Sequence, residues 1–128
     1  MADAVDEVEE ITRYSSSCLI NLGHLSNTKR QAMFKTANLS LSLKHPWVMD
    51  LVGIGATKVR SNFAQELMAF NPDVVEGNVS ELRCFCELGS KARGIDSDQD
   101  DNSPENLQIL AEALQKLSQI YPNTVFLA

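Results

Sequence analysis

The sequence predicts an all-α fold, a compact bundle of about five helices. Apolar residues recur at helical spacing along most of the chain, and capping residues and prolines punctuate those stretches. The one stretch that alternates like a half-buried strand, 38–43, lacks an evident partner.

The first segment places Val8, Ile11, Cys18, Leu22 and Leu25 on one helical face. Glu7, Glu9 and Glu10 lie near its start, where the helix dipole favours anions. Ser15, Ser16 and Ser17 weaken its middle, and Gly23 is a natural stop. Ser26-Asn27-Thr28 supplies N-cap chemistry for a second helix, whose face carries Met33, Phe34, Ala37 and Leu41. Pro46 marks a boundary, because the residue before proline is pushed out of the α region. After Gly53-Ile54-Gly55, Val59, Phe63, Leu67 and Phe70 keep helical spacing until the turn Asn71-Pro72-Asp73. The next helix is expected to bury Val75, Val79, Leu82 and Cys86 and to close at Gly89 or Gly94. For the last helix, Ser103 is the N-cap, Pro104 the first helical residue and Glu105 a first-turn acid. Leu107, Leu110, Leu114, Leu117 and Tyr121 then form its seam up to Pro122.

The 128-residue length fits a single helical domain, 1–128, with an exposed acidic loop at 95–103. Its acidic start, Asp3, Asp6 and Glu7, lacks the basic and apolar regions of a secretory signal, and no apolar run reaches membrane-spanning length. Cys18, Cys84 and Cys86 make an odd count, which suits a reducing compartment. These features predict an intracellular protein, cytoplasmic or nuclear, with no membrane association.

The net charge of −6 is unevenly spread. Residues 1–10 carry five acids and no base, 11–60 carry seven bases and one acid, and 61–128 carry four bases and eleven acids. A basic centre between acidic flanks either holds an anionic partner or is neutralised by those flanks.

No catalytic constellation emerges. Cys84 and Cys86 are two residues apart, so on a helix they point to different faces, and neither His24 nor His45 has ligand spacing to them. Asp96, Asp98 and Asp100 match the first positions of a calcium loop, but Asp101 and Leu107 stand where glycine and a bidentate glutamate belong. Glu7 and Glu10 lie on a solvated face. The expectation is therefore no enzyme, no metal, no cofactor and no small-molecule substrate.

The glycine pair is the sharpest motif. Leu51-Val52-Gly53-Ile54-Gly55-Ala56-Thr57-Lys58-Val59 resembles the hairpin of the helix-hairpin-helix nucleic-acid-binding family, over residues 47–63 only. The resemblance implies a phosphate held by backbone amides at Gly53 and Gly55, with Lys58 and Arg60 adding charge, assisted by Lys29, Arg30 and Lys35. That is the alternative function. The primary expectation is a non-catalytic interaction module that binds a protein partner or itself through an apolar helix face, with Trp47 and Met49, beside Val48, either exposed anchors for that partner or, the more common fate, core residues.

Overall fold

The computed structural model describes residues 4–87 and 103–128. It is a mixed α/β structure built on a four-stranded sheet, which overturns the all-α expectation. In chain order the elements are α1 (Val8–Tyr14), β1 (Cys18–Asn21), α2 (Asn27–Leu43), β2 (Trp47–Asp50), α3 (Lys58–Leu67), β3 (Val74–Glu76), α4 (Val79–Phe85), α5 (Pro104–Ile120) and β4 (Val125–Leu127). Single 3-10 turns at Ile54–Ala56 and Met68–Phe70 flank α3.

The strands lie in the order β1-β2-β3-β4, and every neighbouring pair is parallel. Parallel neighbours need a crossover, and the helices between consecutive strands supply it. The register aligns Ile20, Met49, Val75 and Phe126 in one row and Asn21, Asp50, Glu76 and Leu127 in the next. Side chains alternate between faces along a strand, so the first row and Trp47 join the core, where Ile20, Trp47, Met49 and Val75 are fully buried. Met33 and Ala37 of α2, Phe63 and Leu67 of α3, Leu82 of α4 and Leu110 of α5 complete that core. The opposite face is less covered among the described residues: Leu19 and Val125 are exposed, and Val48 and Val74 are half-buried.

Several expected elements change type. The single helix expected over Val8 to Leu25 ends at Tyr14, and the serine run leads into β1, so Cys18 to Asn21 are extended rather than helical. Ser15 Oγ donates to the Ile11 carbonyl at 2.8 Å, a side-chain substitute for the next helical bond. The stretch 38–43 stays helical to Leu43, where Lys44 enters the left-handed region at φ 57° and ends α2. Val75 belongs to a strand, and the residues after Pro122 form β4. The caps at Ser26 and Ser103 stand where the sequence placed them, accepting the N–H of Lys29 and of Asn106. The stops at Gly89 and Gly94 and the acidic stretch 95–102, with its calcium-like aspartates, lie outside the described residues.

Trp47 and Met49 are core residues of β2 at 0% exposure, so neither can anchor a partner at the surface. Trp47 is fixed at both ends: its backbone N–H donates to Asp73 Oδ2 at 2.9 Å, and its indole N–H to the Phe70 carbonyl at 3.0 Å. No helix among the described residues is long and apolar enough to cross a membrane.

Candidate functional site

In a parallel sheet every strand ends at the same edge, and the loops leaving those ends converge there. Here that edge carries a cleft of about 430 Å³ lined by Asp50, Glu76, Gly77, Asn78, Glu81 and Leu127, among others. The strand register explains its polarity. Asn21, Asp50 and Glu76 are the last residues of three neighbouring strands, aligned across the sheet directly beyond the apolar row.

Each strand end is shaped by a short local device. Asn21 Oδ1 accepts the Gly23 N–H at 2.7 Å, and Asp50 Oδ1 accepts the Val52 N–H at 3.0 Å; both side chains hold the backbone two residues on, as turn-forming Asn and Asp do. Asn78 and Glu81 form a capping box at the start of α4. Asn78 Oδ1 accepts the Glu81 N–H at 2.8 Å, and Glu81 Oε2 accepts the Asn78 N–H at 2.9 Å. The other carboxylate oxygen, Glu81 Oε1, accepts the Gly53 N–H at 3.3 Å. One buried glutamate, 5% exposed, therefore ties the turn after β2 to the turn after β3.

Two glycines make this junction sterically possible. Gly53 sits at φ 74°, and a Cβ there would collide with the Arg60 guanidinium. A Cβ on Gly77 would lie 3.1 Å from Glu81 Oε2 and 3.2 Å from Leu51 Cβ, closer than packed atoms ordinarily approach.

Asp50, Glu76 and Glu81 share the cleft without forming a closed metal cage; no group of three or more His, Cys, Asp or Glu side chains among the described residues is placed to hold a metal ion. Mg²⁺ does not need such a cage, because it commonly takes one or two carboxylates and fills its remaining positions with water and substrate phosphate oxygens. The Asp50 and Glu76 side chains, both half-buried at the cleft, supply donors of that kind.

Of the residues expected to grip nucleic acid, the structure brings Gly53 and Arg60 into contact, and each of the others is seen in its local setting. Gly53, Gly55, Lys58 and Arg60 follow a strand, so Gly53-Ile54-Gly55 is no hairpin between helices. The Gly53 amide is committed to Glu81, its carbonyl accepts from Arg60 Nη1 at 3.4 Å, and Gly55 lies within the 3-10 turn. Lys58 is exposed at the start of α3. On α2, the Lys29 N–H is held by Ser26, Arg30 donates to Asn27 Oδ1 at 3.0 Å, and Lys35 lies 3.7 Å from Glu9 of α1. That last pair joins the basic centre to the acidic N-terminal flank.

The sequence carried two signals for the actual cleft. Asn78-Val79-Ser80-Glu81 has capping-box spacing, and Asp50 is the one acid within the basic segment 11–60.

Residues 1–124 match the hydroxyethylthiazole kinase family. The chain belongs to this family. It is 41% identical over 128 residues to a hydroxyethylthiazole kinase of Lacticaseibacillus casei (strain BL23), covering all of this chain and 46% of that protein. It is 38% identical over 128 residues to the enzyme of that name from Enterococcus faecalis, covering 100% and 47%. The structure of a hydroxyethylthiazole kinase protein from Pyrococcus horikoshii superposes with a TM-score of 0.71 at 28% identity, over 91% of this chain and 41% of that one. This hydroxyethylthiazole kinase family member thus spans about half the length of the curated relatives it matches.

Membership in a kinase family corrects the expectations of a non-catalytic interaction module, of no enzyme and of no small-molecule substrate. It also overturns the alternative of a nucleic-acid-binding domain.

Proposed function

We propose that this chain takes part in phosphoryl transfer from a nucleoside triphosphate to the hydroxyl group of hydroxyethylthiazole. In that reaction the hydroxyl oxygen forms a bond to the terminal phosphorus. The bond from phosphorus to its bridging oxygen breaks, the nucleoside diphosphate leaves and the hydroxyl surrenders its proton. The observation that carries the reading is the aligned row Asn21, Asp50 and Glu76 at the C-terminal edge of a parallel sheet, in a chain similar to kinases along its entire length.

The cleft's charge decides how it would engage the donor. Three carboxylates repel a bare triphosphate, so Asp50 and Glu76 would act on it through a bound divalent cation, which neutralises phosphate charge. Glu81, with both oxygens engaged by backbone amides, acts as the brace that keeps the two strand-end turns in place.

The test is a titration of the 128-residue chain with a fluorescent ATP analogue, with and without Mg²⁺, followed by ³¹P NMR for phosphorylated hydroxyethylthiazole. Nucleotide binding should require Mg²⁺ and weaken by about tenfold or more in Asp50→Asn, the loss of one charged ligand. Equal binding in excess chelator, or no binding at all, would refute the proposed cleft. We also propose that the chain forms one domain and works inside the cell, a reading supported by the one buried core among the described residues and by the free Cys18, Cys84 and Cys86.

A further inference from the structure

The turn leaving β2 forms one wall of the cleft, through Asp50 and Val52. Every amide of this turn is occupied. The Leu51 N–H donates to the Glu76 carbonyl at 2.9 Å, and the Ile54 N–H to the Leu51 carbonyl at 3.0 Å. The two amides between them go to carboxylates, Val52 to Asp50 and Gly53 to Glu81. Two anions thus converge on consecutive peptide groups, and a positive group nearby stabilises that arrangement.

Arg60 is such a group. It lies in the first turn of α3, seven residues after Gly53, and its backbone N–H donates to Thr57 Oγ1 at 3.2 Å. Its half-buried side chain returns to the β2 turn, where Nη1 donates to the Gly53 carbonyl at 3.4 Å. That carbonyl also accepts the Ala56 N–H at 3.0 Å, so the guanidinium takes its second lone pair. The approach is close enough to dictate the residue at 53. A Cβ there would fall on the guanidinium nitrogen, and φ 74° is a conformation that glycine adopts freely. Arg60 and Glu81 therefore hold one residue from both ends, the carbonyl by a cation and the amide by an anion. Hydrogen bonds with one charged partner are the stronger kind.

We infer that Arg60 is a positioning residue for the cleft: it keeps the turn after β2 on Glu81 and so holds Asp50 where the divalent cation of a magnesium–nucleotide complex would bind. The inference rests on the phosphoryl-transfer reading. Arg60 is not one of the described residues that line the cleft, so it acts through the Gly53 peptide groups rather than on the nucleotide. Without the guanidinium, the Gly53 carbonyl keeps only the Ala56 bond, the Gly53 N–H leaves Glu81 more often, and Asp50 samples more positions.

The test compares wild type with Arg60→Met, which keeps the apolar stem and removes the donor, and Arg60→Lys, which restores a cation without the planar fork. Ser103→Ala, which loses the cap of α5, controls for general destabilisation. Amide hydrogen exchange at Gly53 and Asn78 is measured by NMR, together with the affinity for the fluorescent ATP analogue in Mg²⁺. Arg60→Met should speed exchange at Gly53 by about tenfold and weaken nucleotide binding by a similar factor, the loss of one charged hydrogen bond. Arg60→Lys should recover part of both, and Ser103→Ala should change neither. Unchanged nucleotide binding in Arg60→Met overturns the inference, as does an equal loss in Ser103→Ala. Weakened binding with Gly53 exchange unchanged also overturns it, because Arg60 would then meet the nucleotide directly. A wild-type chain that binds no nucleotide is a different result: it refutes the phosphoryl-transfer reading itself, and the positioning role falls with it.

Discussion

Glu81 shows how one side chain can look ordinary in sequence and be central in structure. The sequence places the start of its helix at the turn Asn71-Pro72-Asp73, and Glu81 is not among the candidate residues. The fold brings Gly53, 28 positions earlier, to the second carboxylate oxygen, and a local cap becomes a bridge between two loops. Cys86 behaves in the reverse way, because burial makes it inert rather than useful. Its thiol is pushed up to about 11 by desolvation, with Arg83 pulling it down more weakly. The unfolded thiol, near 9.0, gives up its proton first, so the stability that Cys86 contributes is complete below that pH and is lost as pH rises toward 11. Denaturant melts from pH 8 to 11 should therefore show a steeper loss in wild type than in Cys86→Ala. A parallel decline in the two proteins would show that Cys86 is not the titrating group.

At the scale of elements, helices with a capping residue and a long apolar seam were legible from the sequence. Ser103-Pro104-Glu105 and the leucines from Leu107 to Leu117 specify α5 without any tertiary information. Ser103→Ala should lower stability by about 1 kcal/mol, the usual value of such a cap, measured by urea unfolding; Ser103→Gly should lower it by less. The strands were illegible for a physical reason. They are three or four residues long, and a short apolar run such as Cys18-Leu19-Ile20 fits a helix face and a buried parallel strand equally well. The serines at 15–17 separated α1 from β1, yet a weakened helix and a helix end give the same composition. Gly53-Ile54-Gly55 was correctly seen as a turn. What precedes it is a strand, and its Gly53 amide is held by Glu81.

At the scale of the whole molecule, Trp47 reports on assembly, since it is the single tryptophan and is fully buried under hydrogen bonds from two directions. Native fluorescence should be blue-shifted and poorly quenched by acrylamide, and both properties should be lost in one transition coincident with loss of helical circular dichroism. A readily quenched native tryptophan would contradict the fold. The sequence by itself determined where α2 and α5 begin and where the chain must turn, because caps, prolines and glycines act through neighbours a few residues away. Only the tertiary structure decided that four short segments pair in parallel and that their register aligns Asn21, Asp50 and Glu76 at one edge. Parallel pairing here joins residues from 26 to 51 positions apart, and no local pattern records which of them will meet.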